Sequence, residues 1–177
     1  MSPTPSTFIS AEKISARVRE LATAVTTGIP PGPLTVVGVL RGSFIFTADL
    51  VRNIERELAC DFLTVRSYGD ATVSSGVVEI VADLASPIAD RHVLLVEDIV
   101  DTGLTLKYLT ELLIARSPAS LQTCALLSKP SRRRTTITID HVGFEIEDRF
   151  VVGYGMDAAQ RFRNLPYIGT IDDPQVV

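Results

Sequence analysis

The sequence predicts an α/β fold in which a mainly parallel, twisted sheet is flanked by helices. Three observations carry that expectation. The runs LTVVGVL (34–40) and HVLLVEDIV (92–100) are largely apolar, as strands are when both faces of a sheet are covered. Each is followed by a short turn and then by apolar residues at helical spacing. The chain has 177 residues, 46% of them hydrophobic, enough for one core and too few for two ordinary domains. A single domain over residues 1–177 is therefore expected.

In chain order, residues 1–9 are rich in Ser, Thr and Pro and read as a loose N-terminal tail. Ser10 suits a helix N-cap, with Ile14, Val18, Leu21 and Val25 at helical spacing and Gly28, Pro30 and Pro31 as the stop. Strand 34–40 is followed by Arg41-Gly42-Ser43 and a helix through FIFTADLVRNIERELA. CDFLTVRSY (60–68) and VVEIVADL (77–84) read as strands around a small, polar, flexible loop. Strand 92–100 leads into a helix that ends near Pro118. LQTCALLS (121–128) is a strand, TITIDHVGFEI (136–146) one strand or two pieces, RFVVGYG (149–155) a strand and YIGTI (167–171) a last short one. No internal repeat, low-complexity tract or linker interrupts the pattern.

Charge and composition exclude several functions. Lys plus Arg number 17 against 21 Asp plus Glu, giving a net charge of −4 and a pI near 5.2, so no general basic field exists to hold nucleic acid or an anionic membrane. Cys60 and Cys124 have apolar neighbours and read as small core residues; a disulfide framework would need more. No basic n-region precedes an apolar stretch at the N-terminus, and no run approaches the ~20 apolar residues of a membrane span. A soluble, cytoplasmic protein is expected.

The run VLLVEDIVDTGLT drives an apolar strand into Glu97, Asp98 and Asp101. Ligands of such folds bind beyond the carboxyl ends of strands. The Thr-Gly-Leu-Thr that follows opens a helix, whose free N–H groups and dipole favour an anion. One end of this element wants a phosphate; the acids before it want hydroxyl groups, a proton or a hard cation such as Mg²⁺. A ribose 5′-phosphate supplies both. The plainer reading is that the acids merely cap the helix, with Asp101 as N-cap, but that leaves Glu97 and Asp98 adjacent and unpartnered at the end of a buried strand.

These residues resemble the phosphoribosyl pyrophosphate signature of the type I phosphoribosyltransferases, in the Glu-Asp-x-x-Asp-Thr-Gly form of the bacterial hypoxanthine-guanine branch. VLRGSFIFTADLVR, Ser67-Tyr68, LLSKPSRR, GFEIEDRFVVGYGMD and FRNLPYIG match the same branch in order, covering nearly the whole chain from Leu34 to Ile171. The resemblance implies the type I fold with a small hood from the terminal segments. It implies transfer of the phosphoribosyl group from phosphoribosyl pyrophosphate to a 6-oxopurine, hypoxanthine or guanine, giving IMP or GMP, with Mg²⁺ held by Glu97, Asp98 and Asp157.

By the same resemblance Glu97, Asp98, Asp101, Thr102, Gly103, Leu104 and Thr105 bind ribose and 5′-phosphate, with Asp101 catalytic. Arg41, Gly42 and Arg163 bind pyrophosphate, with a cis peptide between Leu40 and Arg41. Ser67 and Tyr68 belong to a lid; Lys129, Phe150, Val151 and Asp157 serve the purine. A homodimer or homotetramer is implied, with no nucleic acid or membrane partner. Arg41 departs from a common Lys and Ala158 from a common aromatic. SRRR (131–134) reads as a solvated turn, and His92 and His141 have no nucleophile elbow to serve. The rival class is an RNA- or nucleotide-binding regulator on this fold; such regulators typically lack an acid at the position of Asp101.

Overall fold

The computed structural model describes residues 4–68 and 77–171, with the backbone alone at 67, 68 and 77. Six strands form the main sheet: β2 (Leu34–Leu40), β3 (Leu58–Tyr68), β4 (Val77–Ala82), β5 (His92–Val100), β6 (Ser120–Ser128) and β7 (His141–Glu145). Their spatial order is β4-β3-β2-β5-β6-β7, and only the β3–β4 pairing is antiparallel. Helices α1 (Ala11–Gly28), α2 (Phe44–Asn53) and α3 (Leu104–Ile114) complete the layers.

The pleat sorts the core. In β2 and β5, Leu34, Val36, Leu94 and Val96 pack with Ile14, Val18, Leu21 and Val25 of α1 and Phe46 and Leu50 of α2. The alternate residues Val37, Val39, Val93 and Leu95 pack with Leu106, Leu109 and Leu113 of α3. Both faces are dry, which is why these strands read as unbroken apolar runs. Each such buried aliphatic side chain contributes about 1.5–3 kcal/mol. Ser10 caps α1 as its sequence suggests, its side chain accepting from the Lys13 N–H at 3.4 Å.

Several expectations are corrected. Residues Ser6–Ile9 are no tail: they form β1, which pairs with β9 (Ile168–Thr170), itself paired with β8 (Val151–Val152), in a small antiparallel sheet. Helix α2 stops at Asn53, six residues before the sequence pattern ends, because Ile54 turns into the core and Leu58 must already pair with Leu34. The strand expected over 149–155 shrinks to Val151–Val152, since Gly153, Tyr154 and Gly155 all have positive φ and turn the chain away. Residues 136–140 form no strand: Asp140 accepts from the backbone and hydroxyl of Thr123, while Ile137 and Ile139 pack beside α3. Cys60 is exposed where a core position was expected; Cys124 is buried. Among the described residues no helix is long and apolar enough to cross a membrane.

Candidate active site

The sheet order changes direction between β2 and β5, which lie side by side while the chain leaves them toward opposite edges. At such a switch point the two carboxyl-end loops part and open a crevice. The loops here are Arg41-Gly42-Ser43 and Asp101-Thr102-Gly103.

The first loop is tightly held. The Leu40–Arg41 peptide is cis. Ser43 is fully buried, and its hydroxyl donates to the Val39 carbonyl at 2.6 Å. Gly42 has no room for a side chain: a Cβ there would lie 1.7 Å from Asp98 Oδ2. Gly155 packs on the Gly42 carbonyl with φ +100°, so the turn after β8 rests directly on this loop.

In the second loop Gly103 is the N-cap of α3, at φ 82°, and the Thr102 hydroxyl accepts from Leu104 N–H at 3.4 Å. Asp101 therefore does not cap the helix, and the plainer reading of that acid fails. A cavity of about 90 Å³ lies against this helix start, lined by Glu97, Asp101, Thr102, Gly103 and Thr105, with Leu104 opening the helix beside it.

Consecutive strand residues point to opposite faces, and this separates the adjacent acids. Glu97, buried at 7% exposure, lines the small cavity. Asp98 lines a larger cleft of about 510 Å³. Burial raises both carboxyls, Glu97 well above the usual range with Asp98 adding repulsion, and Asp98 to about 6; Arg163 lowers Asp98 and Asp157 raises it further. Carboxylates that are costly to ionise alone are sites that welcome a cation or a protonated partner. Among the described residues no three His, Cys, Asp or Glu converge as a metal cage; of the expected metal ligands, Asp98 and Asp157 share the cleft and Glu97 lines the small cavity.

The cleft gathers the remaining expected residues. Arg41 and Gly42 form one wall, with Asp157 and Arg163 beside them. Arg163 pairs with Asp157 at 2.6 Å and donates to the Gly155 carbonyl at 2.7 Å; Asp157 also accepts from Gln160 N–H at 2.8 Å. Arg41 donates to Gln160 Oε1 at 3.1 Å. Asp101, Lys129, Phe150 and Val151 line the same cleft. Phe150 is 43% exposed in the cleft wall, while Val151 is buried. Lys129 is buried at 7% exposure with its ammonium 3.3 Å from Asp148. The side chains of Ser67 and Tyr68, and the rest of the expected lid to residue 76, lie outside the described residues.

The basic run 131–134 is part of this site and no solvated turn. Arg133 donates to the carbonyls of Val100 and Asp101 at 2.7 and 2.8 Å and to Ser128 Oγ at 3.0 Å, and burial lowers its pKa. Arg132 pairs with Asp101 at 3.2 Å. Their only sequence signal is position: they follow Lys129 in the loop leaving β6, the neighbour of β5.

Comparison with known proteins agrees with this geometry. Residues 8–159 match the family described as the phosphoribosyl transferase domain. The chain is 48% identical over 164 residues to a hypoxanthine-guanine phosphoribosyltransferase of Bacillus subtilis, covering 93% of this chain and 91% of the relative. It is also 48% identical over 167 residues to a hypoxanthine phosphoribosyltransferase of Haemophilus influenzae, covering 93% of each. A crystal structure of a hypoxanthine-guanine phosphoribosyltransferase from Bacillus anthracis superposes with a TM-score of 0.91 at 40% identity, covering 96% of this chain and 99% of that one.

Proposed function

The chain belongs to the phosphoribosyl transferase domain family, and from that premise we propose that it salvages purines, transferring the phosphoribosyl group of phosphoribosyl pyrophosphate to hypoxanthine or guanine. The observation that carries this reading is that Asp101 lines both the small cavity at the start of α3 and the larger cleft that holds Lys129 and Phe150. A sugar bridging a 5′-phosphate and a purine has to pass such a junction.

The free N–H groups opening α3 and the hydroxyls of Thr102 and Thr105 receive the 5′-phosphate. Glu97 and Asp98 approach the ribose from opposite faces of β5. Arg41, Gly42 and Arg163 face the pyrophosphate. Asp98 and Asp157, two carboxylates in one cleft, would hold Mg²⁺, which would supply the positive charge that offsets the pyrophosphate leaving group. Phe150 offers its face to the purine and the Val151 backbone its edge. Lys129, a donor only, selects the exocyclic oxygen of a 6-oxopurine. As the bond from C1′ to pyrophosphate oxygen breaks, N9 bonds to C1′ and Asp101 accepts the proton the purine gives up at N7. Fixed dipoles and orientation supply most of the rate enhancement.

Nucleotide formation from phosphoribosyl pyrophosphate with each purine tests the reading. Hypoxanthine and guanine are expected to react, and adenine to be poorer by at least about 10² in kcat/KM, because its amino group leaves Lys129 without an acceptor. Comparable rates for adenine and hypoxanthine would overturn the role of Lys129; no nucleotide with any base would overturn the function.

A further inference from the structure

Asp101 has a side-chain partner of its own. Arg132 Nε lies 3.2 Å from Asp101 Oδ1, and Arg132 Nη1 lies 3.6 Å from Asp148 Oδ2, whose other oxygen is 3.3 Å from Lys129 Nζ. One guanidinium therefore bridges the acid at the sugar–base junction to the carboxylate that holds the base-reading lysine. Exposed ion pairs are ordinarily worth little, and Asp101 and Arg132 are 40% and 43% exposed. Here, though, the backbones that carry them are laced together. Lys129 N–H donates to the Val100 carbonyl, Arg134 N–H to the Thr102 carbonyl, and the Arg133 guanidinium to the carbonyls of Val100 and Asp101. The short 3₁₀ turn Pro130–Arg132 is thus fixed against the loop that bears Asp101.

We propose that Arg132 is a positioning residue: it fixes Oδ1 of Asp101 so that the other oxygen faces the purine, and it couples that orientation to the Asp148–Lys129 pair. The proposal rests on the phosphoribosyl-transfer reading. A planar fork is needed to reach both carboxylates, which a lysine cannot supply. Asp148 is shared by Lys129 and Arg132; a 6-oxo group on Lys129 leaves Asp148 to Arg132 and steadies the bridge.

The test is a double-mutant cycle of Arg132→Gln with Asp101→Asn, read as kcat and KM for each substrate. Misaiming a reacting group by an ångström costs up to about 10² in rate, so Arg132→Gln is expected to lower kcat by about ten- to a hundredfold in the wild-type background, with KM for phosphoribosyl pyrophosphate unchanged. In the Asp101→Asn background it is expected to cost nothing further, because its target is already disabled. Arg132→Lys is expected to fail to rescue. An equal loss in both backgrounds, no loss in either, or full rescue by lysine would overturn the proposal. A wild-type chain that forms no nucleotide would instead remove the function on which it stands.

Discussion

The carboxylate of Asp98 occupies the space that a side chain on Gly42 would fill, with Oδ2 only 1.7 Å from where a Cβ would sit. Gly42 lies in the loop that follows β2 and Asp98 in β5, neighbouring strands whose Gly38 and Val96 are register partners. Gly155 closes the same corner from above. Gly42→Ala must therefore push Asp98 out of its place, and it is expected to lower kcat/KM for phosphoribosyl pyrophosphate by about ten- to a hundredfold while the chain stays folded. Steady-state kinetics alongside a melting curve check this; an unchanged kcat/KM would mean that Asp98 moves at no cost to the reaction.

Asp101→Asn separates chemistry from architecture. The helix start is capped at Gly103, so nothing in α3 depends on the Asp101 side chain, and an asparagine oxygen still accepts from Arg132. General acid/base groups are worth ~10²–10⁴ in rate. A kcat loss in that range is expected, with Tm and the affinity for phosphoribosyl pyrophosphate nearly unchanged. Near-wild-type kcat would assign the N7 proton to water or to another group.

Transfer should require a hard divalent cation. Asp98 and Asp157 share the cleft, and among the described residues no His or Cys joins them. Excess EDTA is expected to abolish activity and added Mg²⁺ to restore it. Asp157→Asn is expected to raise the Mg²⁺ concentration giving half-maximal rate. Full turnover in EDTA would contradict the assignment.

Stability should carry a signature of His141 at mildly acid pH. The ring is partly buried and its Nε2 lies 2.8 Å from Gln122 Oε1; burial lowers its pKa, with Asp140 opposing. A histidine depressed in the folded state stabilises the fold fully above its unfolded pKa of about 6.5, and that contribution is lost as pH falls through the folded value. Glu97 and Asp98, raised by burial, act in the opposite sense, so a comparison with a variant is needed to isolate the effect. Between neutral pH and about pH 5.5, wild-type Tm is expected to drop more than that of His141→Gln, by on the order of a degree or two. Parallel melting curves across that range would show that the ring titrates equally in both states.

What the sequence determined by itself is what local chemistry encodes. Apolar runs bounded by turns gave the inner strands, Ser10 gave the start of α1, and the Asp101-Thr102-Gly103 turn gave an anion-ready helix end, since each depends on a residue and its near neighbours. Only the tertiary structure decided the rest. That Glu97 and Asp98 face different cavities follows from the pleat of β5 once both of its sides are covered. That residues 6–9 are a strand depends on a partner at the far end of the described chain, β9, where Ser6 pairs with Thr170, which no local pattern announces. The turn at 153–155 needed the Gly42 loop to rest on, and Arg132 and Arg133 became part of the site only because β6 lies beside β5 and brings their loop against Asp101. A charge run looks solvated until the fold supplies the carbonyls and carboxylates it binds.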